Sequence, residues 1–318
     1  MRFGALRRWW NRCWFTETSP SPICLFRIAY GLLVLTTGVL LGPDLLNWYG
    51  HGAAISQQTI HDWENSEARF SIFFLLPETN TVVVITYSVL MLAAASLTVG
   101  LFSRLSAFLV YVCLLSFQQR MACIFNAGDT ILRHQALLLI FSSAGALYSI
   151  DSVRRNKSNK PSTASVLCSP WAQRLIQLQL AGVYCQTFFS KMACSQWIDG
   201  TALYYSSRLT DFARLPVPFL FDHLWTCQLL SWTTLAVELS LFTLIWFKRF
   251  RYPVIAIGTI FHLGIDWSMN IPVFEYIMIA SYINFLQPND VDRFVSSCKK
   301  WISAILSRYQ GSTKQDSV

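Results

Sequence analysis

The run ICLFRIAYGLLVLTTGVLL, Ile23 to Leu41, decides what kind of fold this chain can adopt. It holds one charged residue, Arg27. A helix rises about 1.5 Å per residue, so a run of this length matches the roughly 30 Å hydrocarbon core of a bilayer. Backbone that crosses lipid must satisfy its own hydrogen bonds, and a single apolar segment does so only as a helix. Similar runs follow at Thr81–Leu101, Leu105–Cys123, Ile131–Ile150, Trp171–Ser190 and Trp225–Phe247. Two shorter ones, Tyr252–Trp267 and Val273–Leu286, are separated by Pro272. The expectation is an all-α, polytopic membrane helix bundle of about eight transmembrane helices, forming one domain over residues 21–286. Residues 1–20 read as a basic, aromatic segment lying on the membrane surface. Residues 287–318 read as a cytoplasmic, amphipathic, basic tail, with Trp301, Ile302, Ile305 and Leu306 on one helix face.

Composition points the same way. The chain is 53% hydrophobic and 13% charged, with a mean hydropathy of +0.40, against about 25% charged for a soluble domain. A net charge of +8 can signal a nucleic-acid partner, but the basic residues cluster between apolar runs. That placement is a topology signal, so membrane lipids rather than nucleic acid are the expected partners. With the N-terminus in the cytoplasm, the inner segments collect Arg7, Arg8, Arg12, Arg104, Arg154, Arg155, Lys157, Lys160, Lys248, Arg249 and Arg251. The outer rims hold Arg69, Arg120, Arg133, Lys191, Arg208 and Arg214. Both termini are therefore expected in the cytoplasm, and Lys191 faces the outside or the lumen. The host would be a bacterial inner membrane or the endoplasmic reticulum. The first run is too long for the core of a signal peptide and reads as an uncleaved span. Arg27 either snorkels to the near interface or makes an internal ion pair.

Chemistry is expected around Tyr184–Tyr205, YCQTFFSKMACSQWIDGTALYY. Arg174, Gln177, Tyr184 and Lys191 fall on one face of the fifth helix. Such a face turns toward the protein interior or a wet cavity, as interhelical glue or as a working site. Glu238 lies in the middle of the sixth run. His262 and Asp266, four apart, share a face of the seventh, where a carboxylate beside an imidazole fixes its tautomer or favours its charged form. Lys191, Glu238, His262 and Asp266 are the candidate catalytic set, with Tyr184, Trp197 and Gln177 as candidate cofactor contacts. Desolvation favours a neutral amine, which would let a lysine there act as a general base. No metal is expected: His51 and His61 lack a third ligand, and the nine scattered cysteines contain no CxxC. Motifs for phosphate loops, kinases and common hydrolases are absent.

These residues resemble a family. LFRIAYGLL (Leu25–Leu33), NAGDTIL (Asn126–Leu132), FFSKMACSQWIDGTALYY (Phe188–Tyr205), VELSLF (Val237–Phe242) and FHLGIDWSMNIPVFEYIMIASYINFL (Phe261–Leu286) resemble the HTTM domain. This is the membrane-embedded part of vitamin K-dependent gamma-carboxylases and their bacterial relatives. The resemblance implies a quinone-sized apolar pocket opening outward near Lys191 and His262. It implies a reduced, vitamin K hydroquinone-like quinone as cofactor, and a peptide or protein as substrate on the external side. In the carboxylases the hydroquinone is oxygenated to a strong base that removes a glutamate γ proton before carbon dioxide adds. They carry two adjacent lysines where this chain has Lys191 and Met192, and their lumenal substrate-gripping domain has no counterpart in these 318 residues. The leading expectation is a quinone-coupled membrane enzyme. The alternative is a non-catalytic membrane protein that binds lipid or assists peptide export or maturation.

Overall fold

A computed structural model of the chain describes residues 2–63, 70–158, 166–210, 213–214 and 218–315. Arg69 and Lys160 of the topology argument lie outside them, as do the side chains of His61 and Leu306. Eleven helices carry the architecture: α1 (Arg2–Trp14), α2 (Ser21–Leu41), α3 (Asn80–Val99), α4 (Ser103–Arg120), α5 (Ala127–Ile140), α6 (Ile150–Ser158), α7 (Trp171–Met192), α8 (Leu224–Thr243), α9 (Arg251–Ser268), α10 (Phe274–Ser281) and α11 (Pro288–Gln315). Among the described residues no strand forms; only isolated bridges pair Thr18 with Cys168 and Ala213 with Met269.

Among the described residues three segments are long and apolar enough to cross a membrane: Ser21–Tyr49, Asn80–Val99 and Leu224–Trp246. Their apolar side chains also point outward, including Leu32, Val39, Ile85 and Leu92. In water that would leave a wide apolar surface uncovered; in lipid it costs nothing, so the fold is an all-helical membrane bundle. The fourth expected run falls short. Helix α5 stops at Ile140 because Ser142 turns the chain, its hydroxyl accepting from the Ala144 N–H at 3.2 Å and donating to the Leu139 carbonyl at 2.9 Å. The eighth is also short, an eight-residue helix continued by a 3-10 turn, Tyr282–Phe285.

The helices form two halves, each of sequential neighbours: α2 to α5, and α7 to α10. Helix α10 joins them, touching α2, α5, α7 and α9. Its face is almost wholly enclosed, and Gln135 of α5 donates to Ser281 at 2.7 Å inside the join. Two turns position this central helix. A capping box starts α5: Asn126 accepts from the Gly128 N–H at 2.7 Å, and Asp129 accepts from the Asn126 N–H at 2.9 Å. Asn126 also donates to the Pro272 carbonyl at 3.4 Å. Gly128 lies so close to α10 that an added Cβ would sit 2.8 Å from the Phe274 Cα.

Arg27 follows neither sequence expectation. It does not snorkel, and among the described residues no carboxylate hydrogen-bonds it, although Asp151 lies within electrostatic range: the side chain is fully buried and Nη2 donates to the Tyr148 carbonyl at 2.6 Å. It fits because Gly100, at φ +72°, has no side chain; a Cβ there would meet Nη1 at 2.1 Å.

Candidate functional site

Helix α7 presents Gln177, Tyr184 and Lys191 along one stripe, with successive members two turns and about 10 Å apart. Each level meets a different partner. Gln177, lowest on the stripe, accepts from Arg174 at 2.9 Å and donates to the Asn284 carbonyl at 2.6 Å. Both ends of its amide are thus tied to the helix and to the turn after α10.

Tyr184, one level up, enters a buried chain. Its hydroxyl bonds His262 Nε2 at 2.6 Å and the Tyr282 hydroxyl at 2.6 Å. The other imidazole nitrogen, Nδ1, bonds Glu275 Oε2. All four side chains are buried. One proton arrangement runs through the chain in a single direction. Tyr282 donates to Tyr184, Tyr184 donates to Nε2 of a neutral imidazole, and Nδ1–H donates to a Glu275 carboxylate. A doubly protonated imidazole would reverse the chain, with Nε2–H donating to Tyr184 and Tyr184 donating to Tyr282.

Lys191 at the third level donates to Glu238 Oε1, and the ammonium lies 5.1 Å from the centre of the half-buried Trp197 ring. Lys191 is 22% exposed and Glu238 5%, so the pair spans the edge between interior and rim. The two groups share no hydrogen bond among the described residues, but Tyr184 and Lys191 stand two turns apart on one face of α7, so the groups stack as a polar column along it.

Asp266 is not part of that column. It lies one turn beyond His262 on α9, but it bonds Arg214 at 3.2 Å and the Tyr276 hydroxyl at 2.8 Å. The carboxylate on His262 is Glu275, which the sequence reading passed over. A signal was there: Glu275 is the acidic residue within the apolar run after Pro272, and an ionisable group at such depth is a site candidate by default. The local backbone underlines it. Val273, just before α10, sits at φ +66°. Left-handed backbone is strained for a β-branched residue and collects at functional turns. The Asn126 and Gly128 contacts hold that turn and so aim Glu275 at His262.

Two buried acceptors in the column, Glu238 Oε2 and Glu275 Oε1, have no partner among the described residues. An orphaned buried carboxylate oxygen is costly and marks a place for a donor. Among the described residues no cluster of three His, Cys, Asp or Glu side chains is placed to hold a metal ion.

No solved structure matches this chain. A family model, the HTTM domain, matches residues 15–289, a range that takes in every helix from α2 to α10 and every member of the polar column. The chain belongs to the HTTM domain family.

Proposed function

We propose that this is a multi-pass membrane protein with both termini on the cytoplasmic side, and that its polar column is the acid–base site of a quinone-coupled enzyme related to the gamma-carboxylases. The substrate is a peptide or protein presented at the Lys191 end, outside or in the lumen. The basic bias of the opposite end supports the orientation: Arg104, Arg154 and Arg155 gather there.

The observation that carries the functional reading is the pair of orphaned carboxylate oxygens, Glu238 Oε2 and Glu275 Oε1. A reduced quinone offers two phenolic hydroxyl donors on an apolar ring and so fits two buried acceptors. When bound, it supplies the redox chemistry that yields a strong base. The chain's own groups orient and move protons. Glu275 holds His262 in the Nδ1–H tautomer, leaving Nε2 to take a proton through the Tyr184 hydroxyl. Glu238 keeps the Lys191 ammonium at the rim, where its charge can steady an anion that forms beside it. Trp197 covers that ammonium and limits water.

The rival reading is a non-catalytic binder of lipid or exported peptide. Exposed Met192 favours it, since a second lysine would be expected there. The test is mass spectrometry of lipids that co-purify with the full chain in mild detergent. The wild type should retain quinone in near-stoichiometric amount, and His262→Gln and Glu238→Gln should lose most of it while still melting cooperatively. A wild type that carries no quinone, or variants that retain it fully, would overturn the proposal.

A further inference from the structure

At the other end of the molecule, about 30 Å from Lys191 along α7, an open cavity of about 770 Å³ lies between α4, α6 and the turn after α5. Arg104, Arg154 and Arg155 line it. Asp151, the one carboxylate on its wall among the described residues, is already engaged. It accepts from the N–H groups of Phe102 and Ser103 and from the Ser103 hydroxyl, each at 2.9 Å. The cavity therefore keeps an excess of positive charge. Arg155 is anchored by donating to the Gly145 carbonyl at 2.8 Å, and Arg154 lies 5.5 Å from the centre of the Phe102 ring.

The rim is apolar. Phe102, Leu105 and Phe108 are exposed by 61%, 56% and 48% and follow one another at three-residue spacing along the lipid-facing side of α4. Phe102 is held outward by a left-handed backbone, φ +46°, which Asp151 stabilises through its N–H. Strain of this kind in an aromatic residue tends to mark a functional turn.

We infer that this cavity binds one anionic phospholipid, its phosphate among Arg104, Arg154 and Arg155 and an acyl chain along Phe102, Leu105 and Phe108. A free anion would use the arginines but has no need of the apolar row. A neutral lipid would use the row but not the excess charge. Only a lipid anion matches both, and membrane-edge arginines favour such headgroups.

The test is native mass spectrometry of the delipidated full chain with added phosphatidylglycerol or phosphatidylcholine of matched chains. One phosphatidylglycerol should survive activation that strips phosphatidylcholine. Arg104→Gln with Arg154→Gln, two exposed positions, should weaken its retention by about tenfold or more. Leu105→Gln with Phe108→Gln should also weaken it while leaving the arginines in place. Equal retention of both lipids, no loss in the arginine variant, no loss in the apolar variant, or displacement by millimolar inorganic phosphate would each overturn the assignment. Unchanged melting temperatures establish that each variant is folded.

Discussion

At the Arg27 end of the bundle, three charged side chains meet backbone. Arg27 donates to the Tyr148 carbonyl, Arg155 to the carbonyls of Gly145 and Ala146, and Asp151 accepts from two N–H groups at the start of α4. At the Lys191 end, charges meet side chains on other helices, Lys191 with Glu238 and His262 with Glu275. The first pattern completes helix ends and turns whose backbone groups have no partner of their own. The second places titratable groups from α7, α8, α9 and α10 along one buried polar column. The contrast separates charge that completes backbone from charge that joins one helix to the next.

Substitutions at four positions can break or sharpen this contrast. The largest effect should come from Glu275→Ala, which strips a fully buried partner from a buried imidazole and should cost about 3 kcal/mol or more. Glu275→Gln keeps an acceptor for Nδ1–H and should cost roughly a third of that. Thermal melting in detergent compares the two; equal losses would show that shape, not the hydrogen bond, matters.

Next is Lys191→Met, which leaves Glu238 buried without a cation. Lys191 is partly exposed, so the loss should be about 2 kcal/mol, below the range for a fully buried pair. Adding Glu238→Gln should return most of it, because the unpaired charge is then gone. A double variant as unstable as the sum of the two single ones would remove the pair as a unit.

The smallest effect is at the other end. Burial pushes the Asp151 carboxyl up, but the N–H groups of Ser103 and Phe102, the Ser103 hydroxyl and Arg155 outweigh it and hold the carboxyl below the ordinary aspartate range. A lowered native pKa means stability that is present above the unfolded value, about 4, and is lost as pH falls through the native one. Asp151→Asn should cost about 1 kcal/mol at neutral pH, as lost helix caps do. It should also flatten the fall in melting temperature below about pH 4. An unchanged acid profile would place the acid-sensitive group elsewhere.

Much of this could be read before the fold was known. The periodicity along α7 placed Tyr184 and Lys191 on one face, and the apolar context of Glu238 marked it as a buried acid. Asp266 shows where that logic stops. It stands at helical spacing from His262, yet the crossing of α9 and α10 turns it to Tyr276 and Arg214 while Glu275 takes the imidazole. Arg27 makes the same point across 121 residues, since its acceptor is a carbonyl in a distant turn.

From its amino acids alone this chain was bound to be a set of apolar helices carrying a polar stripe, because hydrophobic run length and the need to satisfy backbone in lipid are local properties. Which carboxylate meets the imidazole was decided only when α10 settled between the two halves. A helix's own period tells which residues share a face; it says nothing about the face of the neighbour that arrives there.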